Sequence, residues 1–182
     1  MAAWHIFRDP VLLARVRSEL DEHLGPHTTN NNNNGIDLQK LLKIPLLLSI
    51  YAETLRLYIK TYVIVSSQTT DVDLGRWRLP RGTMGLLNST ISHRDAEFWN
   101  TNGPDGTHHP VDTFWADRFL VDPRDAFSGP INPAMRDQVG EGRGRFGGEK
   151  LKDGKPFFFT EGLKASWFPY GGMFSSFSAF LS

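Results

Sequence analysis

Glu53 and Arg56 stand three residues apart inside Pro45–Tyr58, a stretch that is otherwise almost wholly apolar. Leu46, Leu47, Leu48, Ile50, Tyr51, Ala52, Leu55 and Leu57 wrap most of the circumference of a helix built from it. A helix apolar nearly all round is buried, and residues at i and i+3 share one of its faces. A buried charge without a partner is strongly destabilising, so both side chains require partners. Two other places carry chemistry-bearing residue types. His108 and His109 offer two imidazoles before Pro110, but no third ligand is spaced to complete a metal site, so a solvated pair is expected. Gly142–Arg143–Gly144–Arg145–Phe146–Gly147 formally fits a dinucleotide fingerprint. That fingerprint needs a strand before it and a helix after it, and charged coil flanks this copy on both sides. The same stretch resembles an Arg-Gly segment that binds RNA, which gives one alternative reading of the chain.

The chain contains no cysteine. Disulfides, a thiol nucleophile, thiolate zinc sites, iron–sulfur clusters and a thiolate-ligated heme are therefore excluded for this sequence as it stands. Its 20 Lys+Arg balance 20 Asp+Glu. Such a chain is not built around a nucleic-acid or anionic-membrane field, and no nucleic-acid partner is expected. Ile44–Ala52, the longest apolar-rich run, stops at Glu53 and is too short to span a bilayer.

The elements that must position these residues are unevenly marked. Asp9–Pro10 is an N-cap followed by proline at the first helical position. Leu13, Val16, Leu20 and Leu24 recur at helical spacing, and Gly25–Pro26 closes the helix. Met1–Phe7 reads as the end of another helix. Asn30–Asn34 is a low-complexity tract expected to loop, and Asp37 is placed to cap a short helix carrying Leu38, Leu41 and Leu42. Tyr62–Val65 is a β-branched strand. Arg76–Leu79 and Thr83–Asn88 read as a hairpin about Pro80–Gly82, and Ser92–Trp99 reads as a short helix. From Pro123 to Lys155 the chain is rich in glycine, proline and charge and predicts a long coil. Asn88–Ser89–Thr90 is a glycosylation sequon, discounted because it ends a strand in a chain that shows no secretion signal. His93–Arg94–Asp95 is assigned to packing only.

Three elements, in order, resemble the C-terminal half of a cytochrome P-450, the heme-thiolate monooxygenase superfamily. Tyr51–Ala52–Glu53–Thr54–Leu55–Arg56–Leu57 looks like its K-helix motif. Phe114–Trp115–Ala116–Asp117–Arg118–Phe119 looks like the later Pro-Glu-Arg-Phe element, and Trp167–Phe168–Pro169–Tyr170–Gly171–Gly172 looks like the start of the heme-binding loop. The match runs from about Pro10 to Gly172 and is most similar to fungal enzymes of the sterol 7α-hydroxylase and prostacyclin-synthase branch, which implies sterol or lipid metabolism. It implies a fold that is mainly α with a small β-sheet, an incomplete C-terminal part of the cytochrome P-450 architecture. It also implies that Glu53, Arg56 and Arg118 form a structural cluster, since a guanidinium can hold a carboxylate by two parallel hydrogen bonds. Phe168, Pro169, Tyr170, Gly171 and Gly172 would contact heme, and Tyr62, Val63, Ile64 and Val65 would line the substrate pocket. The implied partners are an NADPH-cytochrome reductase and a lipophilic substrate, and the implied location is the endoplasmic-reticulum membrane, with this chain, lacking the anchor, cytoplasmic or unassigned.

The resemblance breaks inside the loop. The family pattern Phe-Gly-x-Gly-x-Arg-x-Cys-x-Gly places its second glycine at Met173, its arginine at Ser175, its thiolate ligand at Phe177 and its last glycine at Ala179. Residues 1–172 are thus expected to be the cytochrome P-450 C-terminal region, from the end of the I helix to the start of the heme loop. Residues 173–182 are expected to be an aberrant tail from a gene-model error or premature stop. The oxygen-activating helix would lie before Met1. Thiolate heme binding is not expected, no metal ligand or catalytic residue is intact, and the chain is expected to be inactive or a non-catalytic remnant.

Overall fold

The computed structural model describes residues 1–25, 38–104, 106–136, 154–163 and 166–170. Among these are five α-helices and three two-stranded antiparallel ladders. Asp37, Asn30–Asn34 and the Arg-Gly stretch Gly142–Gly147 lie outside the described residues.

Helix α1 spans Ala2–Arg8 and α2 Pro10–Leu24. The break between them is chemical. Asp9 is extended, and its carboxylate accepts from the Val11 and Leu12 amides at 2.9 and 3.1 Å. Pro10 then opens the next helix with no amide to leave unpaired. At the far end Gly25 takes φ 80°, the left-handed region that stops a helix cheaply only at glycine. Helix α3, Leu38–Leu41, is a single turn. Helix α4, Pro45–Tyr58, is the structural axis. Leu46 and Ile50 pack with Leu12, Val16 and Ala116 in one core cluster. Ala52 faces the second cluster, built from Phe98, Trp99, Phe119, Val121, Ile131, Phe159 and Leu163. Sandwiched between two apolar masses, α4 buries everything from Ala52 to Leu57 except Thr54, which is half-buried.

The strands correct two sequence expectations. Trp77–Leu79 does not pair with Thr83–Asn88. It is strand β3 and pairs with β2, Val72–Leu74, while β1, Tyr62–Val65, pairs with β4, Gly85–Asn88. The turn that decides this is Gly75–Arg76, where Gly75 adopts φ 63°. Pro80–Gly82 instead links the two ladders, with the Gly82 amide donating to the Ser67 carbonyl at 2.7 Å. The expected single sheet is therefore two separate ladders in this region. The second correction is helix α5, which is Ser89–His93 rather than Ser92–Trp99. Asn88 caps it through the Thr90 amide at 2.9 Å. Asp95 then turns the chain by accepting from the Glu97 and Phe98 amides. Trp99 is left in an isolated bridge with Ile131.

From Arg94 to Arg136 the chain is mostly irregular, with one short strand, β5 (Leu120–Val121), pairing with β6 (Phe157–Phe158). Its order comes from side chains bonded to backbone. Asn100 Nδ2 donates to the Phe127 and Gly129 carbonyls, and Arg136 donates to those of Ala126, Ser128 and Ile131. Buried backbone groups need partners, and these side chains supply what a sheet would otherwise supply.

Candidate functional site: a buried ion cluster and the aromatic segment docked beside it

Glu53 and Arg56 project from the same face of α4, as their spacing requires. Arg56 donates from Nε and Nη2 to the two carboxylate oxygens of Glu53 at 2.7 and 2.8 Å. Arg118 donates from Nε to Glu53 Oε1 at 3.1 Å, and the Trp115 amide reaches the same oxygen at 3.2 Å. All three charged side chains are fully out of solvent.

One carboxylate faces two guanidinium groups, so the cluster carries a net positive charge that burial would otherwise make very unfavourable. Two devices offset it. The first is a set of carbonyls. Arg56 Nη1 donates to the His93 carbonyl at 2.5 Å, Arg118 Nη1 donates to that of Asn100, and Arg118 Nη2 fans toward those of His109, Pro110 and Thr113. The second is a pair of indole faces. The Arg56 guanidinium carbon lies 5.3 Å from the Trp99 ring centre, and that of Arg118 lies 5.2 Å from Trp115. Burial pushes the Glu53 carboxyl up, but hydrogen bonds from Arg56 and the charges of Arg118 and Arg56 outweigh it, and the group titrates below its ordinary range. Burial pulls Arg118 below the usual guanidinium range against the opposing pull of Glu53. The arrangement is acceptor-saturated and closed to solvent, so its chemistry is positional. It fixes where the coil from Asn100 to Phe119 lies relative to α4.

The segment Ser166–Tyr170 is docked against the same neighbourhood. The Phe168 amide donates to His93 Nε2 at 3.1 Å, Thr61 Oγ1 donates to the Pro169 carbonyl at 2.5 Å, and the Tyr170 hydroxyl meets that of Tyr51 on α4. Burial first, and then the Tyr51 contact, raise the Tyr170 phenol well above its usual value. Gly171, Gly172 and Phe177 lie outside the described residues, so the loop positions beyond Tyr170 carry no geometry here. Tyr62 and Ile64 of β1 are exposed, 56% and 66%, beside exposed Leu86 and Leu87 of β4. For Val63 and Val65 only the backbone register against Leu87 and Gly85 is described.

Sequence reasoning missed His93, assigning it to packing. It also missed Trp99, Trp115 and Asn100 as the cluster's second layer. The signal available for His93 was its position at the end of a capped turn, which leaves one face of its ring free for a non-local partner. His108 and His109 do not converge with other ligands: among the described residues no group of three His, Cys, Asp or Glu side chains could hold a metal ion. The donor set also fails the test for a thiolate-held heme. No cysteine exists anywhere in the chain, so none of its residues can supply a thiolate to the iron. No described helix is long and apolar enough to cross a membrane.

Comparison with known proteins bears on this arrangement directly. The family model for cytochrome P-450 matches residues 2–105, a span that contains α4 and its Glu53–Arg56 pair. The chain is 35% identical over 178 residues to the cytochrome P-450 monooxygenase efuG of Hormonema carpetanum, covering 94% of this chain and 29% of that protein. It is 34% identical over 179 residues to the monooxygenase fsoE of Humicola fuscoatra, covering 94% and 28%, and 30% identical over 177 residues to calL of Penicillium decumbens, covering 94% and 26%. The chain thus spans less than a third of the length of these relatives. A match over more than half of the chain, centred on the helix that carries its buried charges, establishes that the chain belongs to the cytochrome P-450 family.

Proposed function

We propose that this chain represents the portion of a fungal heme-thiolate monooxygenase from the end of the I helix to the start of the heme loop and that, as its sequence stands, it is catalytically silent. The observation that carries the reading is the closed, fully buried Glu53–Arg56–Arg118 cluster, with the aromatic segment Phe168–Tyr170 docked beside it through His93, Thr61 and Tyr51. In this reading residues 1–172 are one domain portion and 173–182 an aberrant tail. Glu53, Arg56 and Arg118 are scaffold; Phe168, Pro169, Tyr170, Gly171 and Gly172 begin the heme loop; Tyr62–Val65 forms a wall of a pocket for a lipophilic substrate. The exposed apolar side chains of Tyr62, Ile64 and Leu86 support a pocket wall. A sterol- or lipid-type substrate, a reductase as electron donor and an endoplasmic-reticulum location belong to the same proposal, as features of the longer architecture.

Silence follows from ligand chemistry. A heme-thiolate centre needs the thiolate to push electron density toward the iron, and the phenyl ring of Phe177 has nothing to coordinate with. The test is the absorbance of the dithionite-reduced, CO-treated protein. No red-shifted thiolate Soret band is expected, and its appearance would overturn the reading. A version in which Met173–Ser182 is replaced by a Gly-x-Arg-x-Cys-x-Gly continuation tests the loop assignment separately. Heme bound to that version should give the thiolate spectrum, and bound heme without it would remove the assignment of Phe168–Gly172.

A second reading, a non-catalytic remnant that self-associates, is favoured by the exposed apolar side chains of α1 and α2. Trp4, Phe7 and Val11 are 52%, 71% and 70% exposed. Concentration-dependent sedimentation distinguishes it, since a chain without such association stays monomeric across a hundredfold dilution.

A further inference from the structure

His93 is the one buried imidazole among the described residues that touches both the ion cluster and the aromatic segment. Its side chain is enclosed, with the residue 1% exposed. Its two ring nitrogens face partners of opposite kind. Nδ1 lies 3.1 Å from the Arg56 carbonyl oxygen, which can only accept. Nε2 lies 3.1 Å from the Phe168 backbone nitrogen, which can only donate. Only one protonation state satisfies both contacts, the neutral ring with its proton on Nδ1. The Arg56 guanidinium returns a bond to the His93 carbonyl, so the two residues are joined by a reciprocal pair. The Phe168 ring packs edge-on against the imidazole, centroids 5.6 Å apart.

We propose that His93 is the positioning residue of the Phe168–Tyr170 segment: as a neutral Nδ1–H tautomer it relays the fixed geometry of Arg56 to the Phe168 amide, and protonation of the ring releases that amide. The proposal deepens the reading of this segment as the start of the heme loop and rests on it for its relevance to function. The charges that face the ring support the second half. From α4 comes the Arg56 guanidinium, already neutralised in part by Glu53. From the docked segment come no ionisable side chains except Tyr170, which turns toward Tyr51. On its own element Arg94 is exposed. No carboxylate reaches the imidazole, so nothing in this set of neighbours stabilises a second proton. Burial accordingly lowers its titration from 6.5 to about 4, with the Arg56 charge adding to the effect and the Arg56 carbonyl opposing it.

Amide hydrogen exchange at Phe168, followed by NMR on the complete chain without heme, tests the proposal. The Phe168 amide should be protected in the parent protein. His93→Gln places a side-chain oxygen where Nε2 was and should keep the protection. His93→Asn retains a donor toward Arg56 but cannot reach Phe168, and should accelerate exchange roughly tenfold, the loss of one hydrogen bond. Long-range nitrogen–proton spectra should show His93 Nδ1 protonated and Nε2 bare at neutral pH. An unprotected Phe168 in the parent, a His93→Gln variant exchanging as fast as His93→Asn, or a protonated Nε2 would each overturn it. The heme spectrum decides the loop assignment, whereas exchange at Phe168 decides the latch, so the two can fail separately.

Discussion

Replacing Glu53 by alanine removes the single anion from a site that holds two buried guanidinium groups. Four hydrogen bonds are lost at 2.7, 2.8, 3.1 and 3.2 Å, three from the arginines and one from the Trp115 amide. The carbonyls and indole faces remain, but they are dipoles and quadrupoles and cannot neutralise a full charge. Breaking a buried pair by removing one partner destabilises by about 3–5 kcal/mol. With a urea m-value of about 2 kcal/mol/M, that moves the unfolding midpoint by roughly 2 M. Trp99 and Trp115 stand over the two guanidinium groups, so tryptophan fluorescence reads the transition at the site itself. The internal control is Arg15→Ala. Arg15 pairs with Asp117 at 2.5 and 2.9 Å, geometry as good as any in the cluster, but the two side chains are 44% and 31% exposed. Water screens that pair, and its loss should destabilise by no more than about 1 kcal/mol. A Glu53→Ala midpoint no lower than that of Arg15→Ala would refute the argument that burial, rather than the bonds alone, sets the strength of the cluster.

Acidification should unfold the chain in two resolvable parts. His93 gains its proton near 6.5 when unfolded but only near 4 when folded, so the stability tied to its neutral form is complete above 6.5 and declines as pH falls toward about 4. The slope reaches at most ~1.4 kcal/mol per pH unit, and His93→Gln should flatten it in urea titrations run at stepped pH. Glu53 has its folded titration lowered, so its contribution is complete above the ordinary carboxylate range and declines progressively as pH falls through that range toward the lower folded value. Glu53→Gln should therefore remove the acid sensitivity that sets in within the carboxylate range, while leaving the His93 slope at higher pH. Ser49→Ala tests a neutral buried contact. Its hydroxyl donates to the Ala116 carbonyl at 2.5 Å and accepts from the Phe119 amide at 3.2 Å, and stranding both should lower thermal stability by about 1–3 kcal/mol.

Helices α2 and α4 were legible because their signals are local. Asp9–Pro10 and Gly25 state a start and a stop, and Pro45 followed by an apolar run states burial. Strand pairing was not legible, since alternation identifies a strand without naming its neighbour. The β-branched run Tyr62–Val65 could take any partner, and it took Gly85–Asn88 across two intervening strands. Gly75 held the missed turn signal, set between Leu74 and Arg76 with no second turn-forming residue beside it. The need for a partner at Glu53 was readable from its apolar surroundings, but the carbonyls that complete the site were not. Asn100, His109, Pro110 and Thr113 act through backbone oxygens, which every residue possesses and no composition reveals. His93 was hidden for a related reason, because its role depends on the tautomer that two distant backbone groups impose.

The span between the members of the ion cluster has a kinetic consequence. Glu53 and Arg118 are separated by 65 positions, and the coil between Asn100 and Phe119 has almost no ladder of its own to form beforehand. Closing so long a loop is entropically unfavourable before any contact offsets it. During synthesis α4 emerges first, with Glu53 and Arg56 paired to one another and still able to solvate. Desolvation of that pair becomes favourable only once Arg118 arrives with Trp115 beside it. The collapse of the aromatic core and the ordering of the coil are therefore one event. A ribosome-bound chain that stops short of Arg118 would hold a helix whose polar face must remain wet and whose apolar faces are exposed, which is the form most open to capture by a chaperone or cleavage by a protease.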